Sequence, residues 1–275
     1  MKYLSIILIF SSLLLGGTAC AQTASLPGDS SFLLVRTYVG DIADVAVDNL
    51  DNLYIVSTSG QIKKFNAAGD SVAVYNQVKY SGRLFSMDVS NPLKLLLFYK
   101  DFSTVVVLDR FLANINTVDL RRFNILQAGA IGRSYDDHIW IYDEYDHKLK
   151  KIDYKGNPLL ETSDFRSIFN ETIAPQKIMN DNGLVYLADS ARGVFVFDNY
   201  GSFKKKIPVM NWQSIAINGN SIISTDKEIV TIYNPSTMLE MQKRNPFFKP
   251  YFHSLASANR FISFSSNKLE VYQYR

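Results

Sequence analysis

From residue 32 onward the chain alternates short apolar runs with clusters of Asn, Asp, Gly and Ser. The runs are rich in Val, Ile, Tyr, Phe and Thr, which fit a pleated, half-buried surface, and the polar clusters are turn formers. No long stretch combines a 3.6-residue apolar period with helix caps. The pattern predicts an all-β chain of many short strands.

The runs repeat. Leu53–Ser57, Leu97–Asp101, Ile139–Asp143, Val185–Asp189, Ile222–Asp226 and Phe261–Ser265 align as second strands of six units, each closing on Ser or Asp. Third strands end at Phe65-Asn66, Leu108-Asp109, Ile152-Asp153, Phe197-Asp198, Tyr233-Asn234 and Tyr272-Gln273, at separations of 43, 44, 45, 36 and 39 residues. Gly69, Gly156 and Gly201 stand three residues past the polar member, where a tight turn needs positive φ. Units of about forty residues with room for four strands predict a six-bladed β-propeller.

The ends of the chain predict how the ring closes. The last unit stops at Arg275, after its third strand, and the first unit is preceded by a spare strand at Phe32–Val39. Added to the last blade, that strand completes it and removes the open ends that would expose apolar blade faces.

The strand-Asp, strand-Phe/Ile-Asp-x-x-Gly pattern, clearest from Ile139 to Gly156 and from Val185 to Gly201, resembles NHL-like six-bladed propellers, including exported Gram-negative ones. The resemblance spans nearly the whole of residues 32–275. The fifth and sixth units depart from it, lacking the turn Gly and the closing Asp.

The N-terminus reads as an address. Met1-Lys2 is positive, Leu4 to Leu15 is apolar apart from serines, and Gly16-Gly17-Thr18-Ala19 is a small-residue cleavage zone, as in a secretory signal peptide. The stretch is short for a membrane span. Two cleavage sites compete. Ala19-Cys20-Ala21 fits ordinary signal peptidase, leaving Gln22 first. Thr18-Ala19-Cys20 resembles a lipobox, in which Cys20 would be lipidated, although Gly17 stands where that motif usually carries a large aliphatic residue. The expected organisation is a signal peptide at 1–21, a linker at 22–31 and one propeller domain at 32–275. The expected location is the periplasm, with attachment to the outer membrane if Cys20 carries lipid.

Composition narrows the function. With 29 Lys+Arg against 26 Asp+Glu, the net charge of +3 is small and unclustered, unlike that of a nucleic-acid binder. A single Cys excludes a disulfide framework and a cysteine-ligated zinc site. His138 and His147 fall at opposite ends of one strand and His253 in another unit, so no shared histidine metal centre is expected. Asp101, Asp143, Asp189 and Asp226 recur once per unit. They would form either a cation-binding ring at the channel mouth or, more simply, acceptors for their own hairpin turns. Lys204-Lys205-Lys206 suits a solvated outer edge. The chain carries no G-x-S-x-G elbow, Walker loop or H-E-x-x-H, and no cofactor is called for.

In a propeller, the loops joining first to second strands share a face with those joining third to fourth. The first-to-second set is tight and rich in Asn and Asp, as plain turns are. The opposite face carries the blade-to-blade crossovers, which are longer, aromatic and basic. Its candidate partner-binding residues are Arg121, Arg122, Phe123, Phe165, Arg166, Phe169, Trp212, Phe247, Phe248 and Tyr251. Aromatics and Arg are favoured interface anchors, although such aromatics also serve as inter-blade core.

Two functions fit. The first is a non-catalytic exported propeller that acts as a protein-interaction scaffold for an outer-membrane or periplasmic protein. An accessory or plug-like subunit of an outer-membrane export complex, type IX secretion for example, would be such a setting. The alternative is a hydrolase, lyase or small-ligand binder that works through the central channel. No nucleic acid is expected, and contact with a membrane only through a lipid anchor.

Overall fold

The computed structural model describes residues 32–76, 82–226, 228–244, 253–257 and 259–274. Among them, 24 strands form six four-stranded antiparallel sheets, the predicted six-bladed propeller. Blade 1 holds β2–β5 (Asp44–Val47, Leu53–Val56, Ile62–Phe65, Ser71–Tyr75). Blade 2 holds β6–β9 (Ser86–Asp88, Lys94–Tyr99, Thr104–Asp109, Asn114–Asp119). Blade 3 holds β10–β13 (Ala128–Arg133, Ile139–Asp143, Lys148–Ile152, Pro158–Glu161). Blade 4 holds β14–β17 (Lys177–Asp181, Leu184–Asp189, Gly193–Asp198, Phe203–Ile207). Blade 5 holds β18–β21 (Ser214–Asn218, Ser221–Thr225, Ile229–Asn234, Leu239–Arg244). Blade 6 holds β22–β24 (His253–Ala256, Arg260–Phe264, Lys268–Tyr274) and takes β1 (Phe32–Val39) as its fourth strand.

First strands sit innermost: β10 packs on β6 and β14, β14 on β18, and β18 on β22. Gly132 permits one of these approaches, because a Cβ there would meet the Ile178 carbonyl oxygen at 2.5 Å. Second and third strands of blades 2 to 4 are buried almost throughout, as in β7, β11 and β16, whereas the fourth strands β5, β9, β13 and β17 are mostly exposed. The core therefore lies between blades. Leu96, Phe98 and Val105 of blade 2 meet Ile131, Ile139 and Ile141 of blade 3. Trp140 and Tyr142 of blade 3 meet Leu187, Phe195 and Phe197 of blade 4. Such burial contributes about 1.5–3 kcal/mol per large side chain.

Turn chemistry follows the repeat. Gly69, Gly156 and Gly201 have φ of +87°, +94° and +81°, and each donates its N–H to the carbonyl of the polar residue three earlier. In blade 2 the same slot holds Leu112 at φ +61°, a strained position occupied by a buried side chain. The preceding blade reads the same turns. Lys64 Nζ donates to the Arg110 carbonyl at 2.9 Å, Lys205 Nζ to the Pro235 carbonyl at 2.7 Å, and Asn116 Nδ2 to the Tyr154 carbonyl. Lys205 thus stitches two blades together, while its neighbours Lys204 and Lys206 pair with Asp198 and Glu171.

Closure follows the expected route. Seven residues of β1 register with β24, from Phe32 opposite Tyr274 to Val39 opposite Lys268, around a bulge between Leu34 and Arg36. Arg36 reaches on to the Ala68 carbonyl of blade 1, and the Tyr38 ring lies 4.8 Å from that of Phe65. One strand thereby joins the last blade to the first. A chain beginning at Gly40 should lose cooperative unfolding, bind a hydrophobic dye and melt lower by about 10 °C or more. A thermal scan with near-UV circular dichroism checks this, and an unchanged melting curve would contradict it.

Candidate protein interface and central channel

Two of the predicted crossovers are built alike. Asp119 and Asp164 each cap a short helical turn, accepting the backbone N–H of Arg121 and Arg166 at 3.2 and 2.8 Å. The next residue inward, Leu120 or Phe165, is buried. Each turn ends on a left-handed Asn, Asn124 or Asn170. The same carboxylates hold the arginine side chains outward: Arg121 Nε lies 3.2 Å and Arg122 Nε 3.6 Å from Asp119, and Arg166 Nη2 2.6 Å from Asp164. Arg122 is 79% exposed. Asp164 is pulled down to about 2, first by its hydrogen bond from the Arg166 guanidinium.

The aromatic candidates divide. Phe165 is 1% exposed and stacks between Tyr142 and Phe197 at 6.0 and 4.9 Å, so its ring belongs to the core between blades 3 and 4 and offers no surface to a partner. Phe169 is half-buried against Phe195, Phe197 and Phe203. Phe123 is half-buried on the Gly156 turn, where a Cβ would meet its ring at 2.0 Å. Trp212 packs on the blade 4 core, with its indole N–H buried and without a hydrogen-bond partner among the described residues. Phe247, Phe248, Tyr251 and Cys20 lie outside the described residues.

The arginines are accompanied by other exposed groups on this face. Leu126 enters blade 3, Tyr145 tops its second-to-third hairpin, Phe102 tops that of blade 2, and Ile168 projects from the blade 3–4 crossover. The hairpins of blades 2 and 3 are locked together: Glu144 accepts Lys100 Nζ at 2.9 Å and Gln127 Nε2 at 2.8 Å. The result is a rigid, arginine-rimmed apolar surface across blades 2 to 4.

Three of the four repeated carboxylates act as turn acceptors. Asp143 Oδ1 accepts Tyr145 N–H at 3.0 Å, Asp189 Oδ1 accepts Ala191 N–H at 2.9 Å, and Asp226 Oδ1 accepts Ile229 N–H at 2.6 Å. Asp101 differs. The strand β7 ends at Tyr99, and Asp101 sits exposed in a 3-10 turn, so it does not end a second strand as its alignment predicted. Asp143 is also held by Lys150 Nζ at 2.8 Å. Among the described residues, no three His, Cys, Asp or Glu side chains converge as a metal site.

The channel holds charges that strand periodicity alone did not mark. Lys177, Asp44, Asp88 and His253 all lie on innermost strands. Burial pushes the Lys177 ammonium down, against the opposing pull of Asp88 and Asp44 across the axis. Burial pushes Asp44 up, against the Val45 N–H, Lys177 and His253. Both side chains nonetheless touch water. Protein on every side and solvent access together describe a narrow water-lined channel. Lys177 Nζ donates to the Ile215 carbonyl at 2.8 Å, and no carboxylate lies within salt-bridge distance among the described residues. The sequence signal for this cluster was a charged or histidine residue at one end of a short first strand.

The chain matches no protein-family profile and no curated protein. Solved structures do resemble it. The WD40 domain of Neurospora crassa Pan2 superposes with a TM-score of 0.63 at 11% identity, covering 88% of this chain and 95% of that one. Virginiamycin B lyase of Staphylococcus aureus superposes at 0.62 and 8%, covering 89% and 100%. The Cps50 (Swd1) propeller domain of Myceliophteria thermophila superposes at 0.60 and 9%, covering 89% and 100%. At these identities the likeness is one of fold.

The channel lysine yields a signed prediction. Well below its depressed folded-state pKa, Lys177 is charged in both states and the folded protein bears a desolvation cost, reduced by the water its side chain touches and by the pull of Asp88 and Asp44. That cost fades as pH rises toward the unfolded value of about 10.4. Lys177→Met removes it. The variant should melt above wild type at pH 7, and the gap should close by about pH 10.5. Thermal melts across that range test this, and a variant that melts lower at pH 7 would contradict it.

Proposed function

We propose that this chain is an exported, non-catalytic, NHL-like propeller that binds a protein partner through its crossover face. The observation that carries the proposal is the trio Arg121, Arg122 and Arg166, held outward by capping aspartates beside exposed Leu126, Tyr145 and Ile168. Pre-set guanidinium groups next to exposed aromatic and aliphatic side chains have the chemistry of interface anchors, and their backbone is already fixed. Phe247, Phe248 and Tyr251, which lie outside the described residues, are proposed as further partner contacts. The signal-peptide pattern at residues 1–21 supports a periplasmic site, with Cys20 as a lipid anchor to the outer membrane. An accessory or plug-like subunit of an outer-membrane export complex, such as type IX secretion, is the setting this fits.

A second proposal, a small-ligand or catalytic role for the channel, draws on Lys177, Asp44, Asp88 and His253. It predicts an anionic or carbonyl-bearing ligand retained stoichiometrically after purification and lost on Lys177→Met.

Purification from native membranes in mild detergent should bring down a stoichiometric partner. Arg122→Glu with Arg166→Glu should weaken that complex by about tenfold or more at unchanged melting temperature. Phe248→Ala should act in the same direction. Recovery of the propeller alone, or equal capture by the charge-reversed variant, would refute the interface.

A further inference from the structure

The face opposite the crossovers is not a plain array of turns. Leu50, Leu93, Phe111, Tyr135, Tyr200 and Met238 stand on its hairpin tips, from five different blades, and each is more than half exposed. Four of them share one local design. An Asx residue two positions earlier accepts the N–H of the apolar residue: Asp48 for Leu50 at 2.9 Å, Asn91 for Leu93 at 3.0 Å, Asp109 for Phe111 at 2.8 Å and Asp198 for Tyr200 at 3.0 Å. In blade 3 the equivalent position holds Lys155, bonded in the same way to Asp153. The Arg110 guanidinium lies 4.7 Å from the Phe111 ring.

That these tips share a face follows from the connections. Ile207 is joined to Ser214 by six residues, a reach of about 20 Å. That is enough to cross a blade sideways, but not also to return along a strand. That crossover therefore leaves β14 and β18 running the same way, and contacts between like loops of neighbouring blades, Lys94 with Asp137, Lys100 with Glu144 and Asn259 with Asp51, carry the same sense around the ring, so the first-to-second and third-to-fourth turns point the opposite way from the crossovers.

We infer that this turn face docks on a lipid bilayer, with the apolar tips entering the headgroup boundary. Three observations select a bilayer over a protein. The tips are isolated on separate hairpins rather than joined in a groove, and a fluid layer accepts separate tips where a protein surface needs a continuous patch. The N–H groups of Leu50, Leu93, Phe111 and Tyr200 are already bonded by Asx side chains, so entry of these four into an apolar layer strands no donor there. The chain also enters the propeller at Phe32, whose partner Tyr274 lies at the turn-face end of β24. Residues 20–31 span at most about 40 Å when extended. A lipid on Cys20, which rests on the anchor proposed above, would therefore draw this face to the membrane and leave the arginine face free.

The test uses residues 22–275 without lipid, floated with phosphatidylcholine vesicles in low and high salt. The expected result is partitioning that survives high salt, because apolar insertion drives it. Leu93→Ser with Phe111→Ser should reduce partitioning by tenfold or more, while Leu126→Ser with Tyr145→Ser, on the crossover face, should leave it unchanged. Circular dichroism and melting temperature confirm that each variant is folded. Failure of the unaltered protein to float, abolition of floating by salt, or equal loss in both variant pairs would overturn the inference. Because the crossover-face pair should lose the protein partner yet keep the vesicles, failure of this inference is distinguishable from failure of the interface.

Discussion

The antiparallel pairing of β1 with β24 is the constraint on which the rest depends. A propeller blade is a small sheet whose two faces are covered only by its neighbours, so an open ring exposes apolar surface at both ends. Here the last blade lacks an outer strand until the start of the chain supplies one. Closing the ring holds six inner strands around one axis, which brings Lys177 of blade 4 opposite Asp44 of blade 1. It also fixes which loops share a face, and the crossover and turn faces inherit their separation from it.

The two faces use one device for different ends. In both, an Asp or Asn side chain satisfies the backbone at the start of a turn and releases the following side chains outward. On the crossover face Asp119 and Asp164 also bind guanidinium groups, giving a charged rim around Leu126 and Tyr145. On the turn face Asp48, Asn91, Asp109 and Asp198 present apolar tips. Some buried charge is held in pairs with a structural role, such as Asp143 with Lys150, where removing one partner leaves the other charge costly.

The fold was legible because its signals are local and repeat. Six second strands, the turn glycines and the spare strand at Phe32–Val39 were all readable from residue type and spacing. The site was less legible because exposure is set by packing between blades, which one strand's pattern does not contain. Phe165 and Arg166 are adjacent, yet the first is core and the second surface, because the capped turn points them in opposite directions. Asp101 misaligned because blade 2 closes its hairpin with a 3-10 turn rather than an Asx turn. The apolar tips were hidden by turn composition, although the pattern of Asx, any residue, then a large apolar residue recurs at Leu50, Leu93, Phe111 and Tyr200. Lys177 and Asp44 escaped notice because their environment exists only once opposite blades share a channel.

The closure itself is most directly tested by cross-linking its two strands. Leu33 and Gln273 are registered partners and both are exposed. In residues 22–275, free of the single native Cys, Leu33→Cys with Gln273→Cys should form an intramolecular disulfide on oxidation, seen by intact mass and non-reducing electrophoresis. It should also raise the melting temperature until reductant is added. Free thiols, or cross-links only between molecules, would contradict the closed ring.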